Sequence, residues 1–200
     1  MLQGHGQRSR RTELAAVLQI KNGPAIVSAA GDEGSTLLPI TYLTQAPYDQ
    51  LCWAACCAMV LRADGQVNAR VTSVAAQVVG QPCSANPSTS PCNQSIDPEV
   101  AIRAVGLAYS VPAPQGPLVP TSLVDWIVTG RKPIEVFWRY QDNPASGHVV
   151  LIVGYDVASQ TWCVFDPLLG PSWQSYNYLM HYGGTADWIK TFYALGAELG

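Results

Sequence analysis

Residues 45–56 read Gln45-Ala46-Pro47-Tyr48-Asp49-Gln50-Leu51-Cys52-Trp53-Ala54-Ala55-Cys56, and the apolar character runs on to Leu61. From Asp49 or Gln50 to about Ala63 apolar residues fall all round a helix rather than along one stripe. That is the pattern of a helix buried at the centre of a domain, with Gly65 as its stop. A cysteine in the first turn of such a helix sits where unpaired N–H groups and the helix dipole favour an anion, the setting of a nucleophilic thiol. Free cysteines are also common small fillers of cores, so the helix alone leaves both roles open for Cys52.

Working outward from this helix, residues 1–36 are Gly-rich and polar apart from a helical-looking Thr12–Ile20, and they end in a linker-like Gly31-Asp32-Glu33-Gly34. Arg8, Arg10 and Arg11 precede an apolar stretch, Leu14–Ile20, that Gln19 interrupts. A secretory signal needs a longer, cleaner stretch, although Ser28-Ala29-Ala30 has the small residues of a cleavage site. Residues 1–36 are therefore expected to be a leader or pro-segment, compatible with secretion without a clear signal peptide, and residues 37–200 a single domain. Within that domain Leu37–Leu43 has strand character, and Arg70–Val79 and Asp97–Val105 read as amphipathic helices, the second with Asp97 as N-cap and Pro98 first in the helix. Thr121–Val128 reads as a short helix capped by Thr121 or Ser122 and stopped by Gly130. The second half changes character: Pro133–Tyr140, His148–Tyr155, Thr161–Phe165 and Trp188–Leu195 are β-branched and aromatic runs between turn residues, as in an antiparallel sheet. Helices first and strands second predict an α+β domain of two lobes with a cleft between them.

Composition sets limits. With 48% hydrophobic residues and six Trp, nine Tyr and three Phe in 200 residues, general disorder is excluded. Charged residues make up 12% and the net charge is −3, so there is no basic field for nucleic acid. The apolar stretch ending at Leu61 is far shorter than the ~20 residues of a membrane-spanning helix. Six cysteines are too few for a disulfide scaffold and more than packing alone demands.

Two further stretches bear on chemistry. In Ser146-Gly147-His148-Val149-Val150-Leu151-Ile152-Val153-Gly154-Tyr155-Asp156 a histidine heads an apolar strand, where the core can hold it rigidly while it reaches a cleft. A strand-end histidine bonded to nearby backbone fits the same pattern. In Val164-Phe165-Asp166-Pro167 an aspartate closes the next strand. A hairpin turning at Asp156–Gln160 would carry Asp166 back to the His148 end of the sheet, although Asp before Pro is also a plain turn former. Cys, His and Asp together are the set that nucleophilic acyl transfer needs: the imidazole takes the thiol proton, and the carboxylate fixes its tautomer.

These blocks, Gln45…Cys52-Trp53-Ala54-Ala55, Gly147-His148-Val149-Val150…Val153-Gly154-Tyr155-Asp156 and Phe165-Asp166-Pro167, resemble the signatures of papain-like cysteine peptidases. They are most similar to the compact bacterial branch that includes plant-pathogen effector proteases and the leader-peptide peptidase domains of peptide exporters. The resemblance covers about Leu37–Leu195 in layout and implies a papain-like fold, a helical lobe with a central nucleophile helix packed on an antiparallel sheet. It also implies Cys52 as nucleophile, His148 as general base and acid, and Asp166 as its orienter. In that family a Gln six residues before the nucleophile donates to the oxyanion; here that position is Ala46, while Gln45 lies seven before and Gln50 two before. Gln45 is the expected donor, Gln50 the fallback, and the Cys52 backbone N–H the second donor in either case. Trp53 would pack beneath the nucleophile.

Cys56 and Cys57 read as core residues of the helix and Cys163 as a buried strand residue. Cys83 and Cys92 flank a turn-rich loop whose spacing suits a local disulfide. A zinc site built from Cys52, Cys56, Cys83, Cys92 and His148 lacks paired C-x-x-C spacing, and no cofactor or metal is expected. The expected activity is peptide-bond hydrolysis through a thioester by a monomeric effector or processing protease. The same machinery could serve a transglutaminase-like acyl transferase or a glutamine deamidase, and a non-catalytic peptide-binding module is a third class. Specificity would reside in the loops Val111–Pro120 and Gln141–Ser146, which have no readable pocket code.

Deleting residues 1–34 is expected to leave the melting temperature within a few degrees, the scale of ~1 kcal/mol for a domain of this size. A larger loss in a thermal melt would show that the segment packs into the core.

Overall fold

The structure, a computed structural model, describes residues 34–195. Residues 1–33, with the Thr12–Ile20 stretch and most of the expected leader, and residues 196–200 lie outside them. The chain runs β1 (Ser35–Leu37), α1 (Cys52–Ala63), α2 (Val71–Val79), α3 (Pro98–Ala104), β2 (Tyr109–Ser110), α4 (Pro120–Val124), β3 (Ile134–Tyr140), β4 (Gly147–Asp156), β5 (Thr161–Asp166), β6 (Gly170–Gln174), α5 (Tyr176–His181) and β7 (Ala186–Ala194). This is the α+β layout expected from the sequence, with helices first and an antiparallel sheet second.

Helix α1 occupies the centre. Every residue from Cys52 to Leu61 is buried, which accounts for the absence of a polar face in the sequence. Helices α2 and α3 cover it on one side and β4 on the other. Helix α2 is closed at its start by Ser73 Oγ, which accepts from the Arg70 N–H and donates to the Arg70 carbonyl, and at its end by a left-handed Gly80. Helix α3 begins as predicted, with Asp97 Oδ1 accepting from the Glu99 N–H and Pro98 in the first turn.

The sheet has the strand order β2-β7-β3-β4-β5-β6, with β1 paired to β4 beyond the end of β3. Its central strand, β4, is buried from His148 to Val153, so it reads as a continuous apolar run rather than an alternating one. The β4–β5 hairpin pairs Asp156 with Thr161 and Leu151 with Phe165. Two bulges interrupt the ladders. One sets Ile152 and Gly154 of β4 against consecutive residues of β5, and the other sets Phe137 and Trp138 of β3 against Lys190 and Trp188 of β7. Bulges of this kind re-aim the side chains beside them.

Several sequence expectations need correction. Strand β1 takes in Ser35 and Thr36, two residues ahead of the expected domain start, because both pair with the end of β4. The expected strand Leu37–Leu43 stops at Leu37. Pro39 has no N–H for a ladder, and the following residues turn to the β5–β6 corner, where the Tyr42 hydroxyl donates to the Asp166 carbonyl and the Thr44 hydroxyl to the Pro167 carbonyl. The short helix starts at Pro120 with Val119 as its cap position, not Thr121 or Ser122, and passes into a π-turn, Asp125–Thr129, before Gly130. Strands β2 and β6 and helix α5 were not foreseen. Gly170-Pro171 reads as a breaker, but β6 is an edge strand, where a missing donor is tolerated.

Gly147, paired with Arg139 of β3, sits directly ahead of His148. A Cβ there would run into the Trp138 carbonyl oxygen and the Phe137 ring. Gly147→Ala is therefore expected to destabilise the fold by about 1–3 kcal/mol, the usual range for overpacking. A thermal melt indistinguishable from wild type would contradict this packing.

Candidate active site

Three elements deliver the three residues singled out in the sequence. Cys52 is the first residue of α1, His148 the second of β4 and Asp166 the last of β5. Their relative exposures are 8%, 3% and 4%, so the group is nearly dry. The hairpin brings His148 Nε2 to 2.7 Å from Asp166 Oδ1, and the Cys52 side chain lies near enough to His148 to act on its charge. With Nε2 engaged by the carboxylate, Nδ1 is the nitrogen left to face the thiol.

Burial, the largest influence on His148, disfavours its charged form. Hydrogen bonds to Asp166 and Cys52, together with the negative charges of both, outweigh it and raise the imidazole from 6.5 to about 9. Burial would likewise raise Asp166, but the hydrogen bond and charge of His148 and the N–H groups of Leu168 and Leu169 hold it below the usual carboxylate range. Those amides lie 2.8 and 3.1 Å from Oδ1. One oxygen of Asp166 thus accepts hydrogen bonds both from the turn amides after β5 and from His148.

The start of α1 leaves its first N–H groups open to a polar partner. Leu51 in the cap position makes no side-chain cap, and the first turn of α1 holds no acidic residue, so nothing acidic competes for its N–H groups. The approach to Cys52 is clamped by the loop after α2, which carries a disulfide between Cys83 and Cys92 with Cα atoms 5.2 Å apart. From this loop Asn93 accepts from the Gln50 N–H and donates to Asp49, Gln94 accepts from Trp53 Nε1, and Ser84 accepts from the Tyr48 hydroxyl. Trp53, directly after Cys52, is buried.

Gln45 and Gln50 differ sharply. Gln45 is 1% exposed; its backbone N–H donates to the Pro167 carbonyl, next to Asp166, and its Nε2 donates to the Tyr48 carbonyl at 3.2 Å. One amide hydrogen of Gln45 remains free for a second acceptor. Gln50 is exposed, and its backbone is held by Asn93. Cys56, Cys57 and Cys163 are buried. Burial, joined by the nearby Glu135 carboxyl, pushes the Cys56 and Cys57 thiols well up, and burial alone pushes Cys163 up to about 12. Cys83 and Cys92 are bonded to each other and cannot ligate zinc, and the described residues hold no cluster of metal-ligating side chains. Among them, no helix is long and apolar enough to cross a membrane.

Side chains not read from the sequence also touch the trio. The Tyr182 hydroxyl donates to Asp166 Oδ2 at 3.1 Å, and the Trp138 ring lies parallel to His148 with centroids 6.4 Å apart. Tyr182 belongs to a Tyr-Gly-Gly turn that signals a reversal and nothing more.

Residues 37–193 match the model of the Peptidase_C39 like family. Among solved structures the chain is similar to a C39-like peptidase from Bacillus anthracis, at 14% identity and a TM-score of 0.53, covering 84% of this chain and 100% of that one. At that identity the likeness shows the fold alone. It also matches xylellain, a cysteine protease from Xylella fastidiosa, at 14% identity and a TM-score of 0.48, covering 84% of this chain and 88% of that one. No curated protein matches it.

The contrast among the thiols makes reactivity decisive. Iodoacetamide near neutral pH is expected to modify Cys52 at least tenfold faster than Cys56, Cys57 or Cys163, since only the thiolate reacts. Peptide mapping of the adduct checks this, and first reaction at any of the other three would remove Cys52 as the nucleophile.

Proposed function

From the premise that the chain belongs to the Peptidase_C39 like family, and so to the papain-like cysteine peptidases, we propose that it hydrolyses peptide bonds with Cys52, His148 and Asp166 as its catalytic triad. What carries this reading is the 2.7 Å bond from His148 to Asp166, with the Cys52 side chain close enough to the same imidazole to act on its charge.

In the proposed reaction the Cys52 thiolate attacks the carbonyl carbon of the scissile bond, and the carbonyl oxygen becomes an oxyanion. The Cys52 backbone N–H at the start of α1 and the free amide hydrogen of Gln45 stabilise that charge. His148, as imidazolium, gives the Nδ1 proton to the leaving amine, the C–N bond breaks and a thioester remains. The neutral imidazole then takes a proton from water, the resulting hydroxide attacks the thioester, and the acid product leaves as Cys52 returns to thiolate and His148 to imidazolium. Asp166 holds the ring with Nδ1 toward sulfur and stabilises its cation without taking the proton. We read the biological role as that of a bacterial effector or processing protease acting on peptide or protein substrates. The segment ahead of Gly34 would be its leader or pro-segment.

A raised imidazole pKa has a definite sign for pH dependence. His148 stays cationic up to about pH 9, so its interactions stabilise the fold fully below the ordinary histidine value and lose that contribution as pH rises through about 9. The leaving amine needs the same proton, so kcat/KM is expected to fall above about pH 9.

A peptide-library cleavage profile read by mass spectrometry tests the whole reading. Wild-type protein is expected to cut, Cys52→Ala and His148→Ala to lose activity, and Asp166→Asn to lose about 10²-fold or more with its alkaline limit moved to lower pH. Cys52 should remain alkylatable in Asp166→Asn and not in His148→Ala. A gain of about one dalton without chain cleavage would replace hydrolysis by deamidation, and unchanged substrates throughout would point to a binding module.

A further inference from the structure

Asp166 is held by more than its histidine. Oδ1 accepts from His148 Nε2 and from the Leu168 and Leu169 amides, and the carboxylate's other oxygen, Oδ2, accepts from the Tyr182 hydroxyl. In a site this dry, an oxygen left without a donor would draw in water or turn the carboxylate away from the imidazole. The ring of Tyr182 adds a second contact. It stacks on Trp138 with centroids 4.4 Å apart and lies 5.5 Å from the His148 ring, while Trp138 runs parallel to His148 from the neighbouring strand. The two rings pack beside the His148–Asp166 hydrogen bond, and low local dielectric strengthens such a bond.

The backbone shows that this placement is specified. Tyr182 has φ 37° and ψ 64°, in the left-handed region that L-residues with a Cβ enter at a cost, and Gly183 and Gly184 follow at φ 65° and 86°. Glycine would occupy position 182 more easily, as it does the next two. Strain of this kind persists where the surroundings over-determine it. Here Thr185 donates its backbone N–H and its hydroxyl to the Tyr182 carbonyl, and Trp138 Nε1 donates to the Leu179 carbonyl, tying α5 to β3 beneath the turn. Burial and the adjacent Asp166 carboxylate raise the Tyr182 phenol, so its hydroxyl stays protonated and able to donate.

Resting on the triad reading above, we infer that Tyr182 is a positioning residue of the active site, whose hydroxyl orients Asp166 toward His148 and whose ring, stacked on Trp138, shields that pair from water. It acts through Asp166. The groups facing His148 are Cys52 from α1, Asp166 from β5, Tyr182 from the turn after α5 and, behind it, Trp138 from β3.

Tyr182→Phe keeps the ring and removes the hydroxyl. Tyr182→Gly suits the left-handed backbone and removes both. The His148 titration can be followed by NMR without any substrate, since the chain has only three histidines. In wild type it is expected near 9. In Tyr182→Phe the midpoint should fall by about half a pH unit or more, with kcat down about tenfold and KM within about twofold. Tyr182→Gly should lower both further while melting no earlier than Tyr182→Phe. A His148 midpoint and a kcat in Tyr182→Phe equal to wild type would overturn the inference, whether or not the melting temperature changed. So would a benign Tyr182→Gly, which is what a purely conformational role predicts. If the wild-type protein cleaved nothing, the peptidase reading would fail while the His148 titrations still decided the role of Tyr182.

Discussion

Helix α1 has no polar face to offer water between Cys52 and Leu61, and the need to cover it on every side arranges much of the molecule. Burying side chains such as Leu51, Trp53, Met59 and Leu61 is favourable by about 1.5–3 kcal/mol for each large one. That gain is available only if α2, α3 and β4 close around the helix together. The same closure carries the first turn of α1 up to the head of β4, where His148 follows Gly147. The thiol and the imidazole meet because an apolar helix and an apolar strand each need the other as cover.

Closure creates an electrostatic problem that the local structure answers. Removing a carboxylate and an imidazolium from water is costly unless each finds partners in good geometry. Asp166 receives four donors, from His148, Leu168, Leu169 and Tyr182, and its carbonyl accepts from Tyr42. His148 is held between Asp166 and Cys52. Elsewhere the outcome is the opposite: Glu135, buried on β3 with one carboxyl oxygen unpartnered, is pushed well up by burial and by the charge of Cys52.

The disulfide loop and the β5–β6 corner have a common effect on the site. The loop carrying Cys83 and Cys92 bonds the backbone or side chains of Tyr48, Asp49, Gln50 and Trp53, while the corner at Asp166-Pro167 bonds Tyr42, Thr44 and Gln45. The irregular stretch leading into α1 is therefore held from both sides. Such support matters for a charge-stabilising donor, whose value depends on being in place before the charge develops.

The sequence by itself determined that helices come first and strands second, and the element ends at which Cys52, His148 and Asp166 would sit, because helix and strand periodicities and capping residues are local properties. The run from Cys52 to Leu61 reads as a buried helix, Asp97-Pro98 as the opening of another, and counting along the β4–β5 hairpin returned Asp166 to His148. Tertiary structure alone decided the rest. Pro39 and the corner at Asp166 cut short the expected first strand, the edge position of β6 made a strand of Gly170-Pro171, and a two-residue slip joined Ser35 and Thr36 to the sheet. Neither Tyr182 nor Trp138 could be read as part of the site. A tyrosine in a Tyr-Gly-Gly turn and a tryptophan in a strand acquire their roles from partners 16 and 10 positions away in the chain, and contacts at that separation depend on how the sheet twists and bulges, which no local pattern encodes.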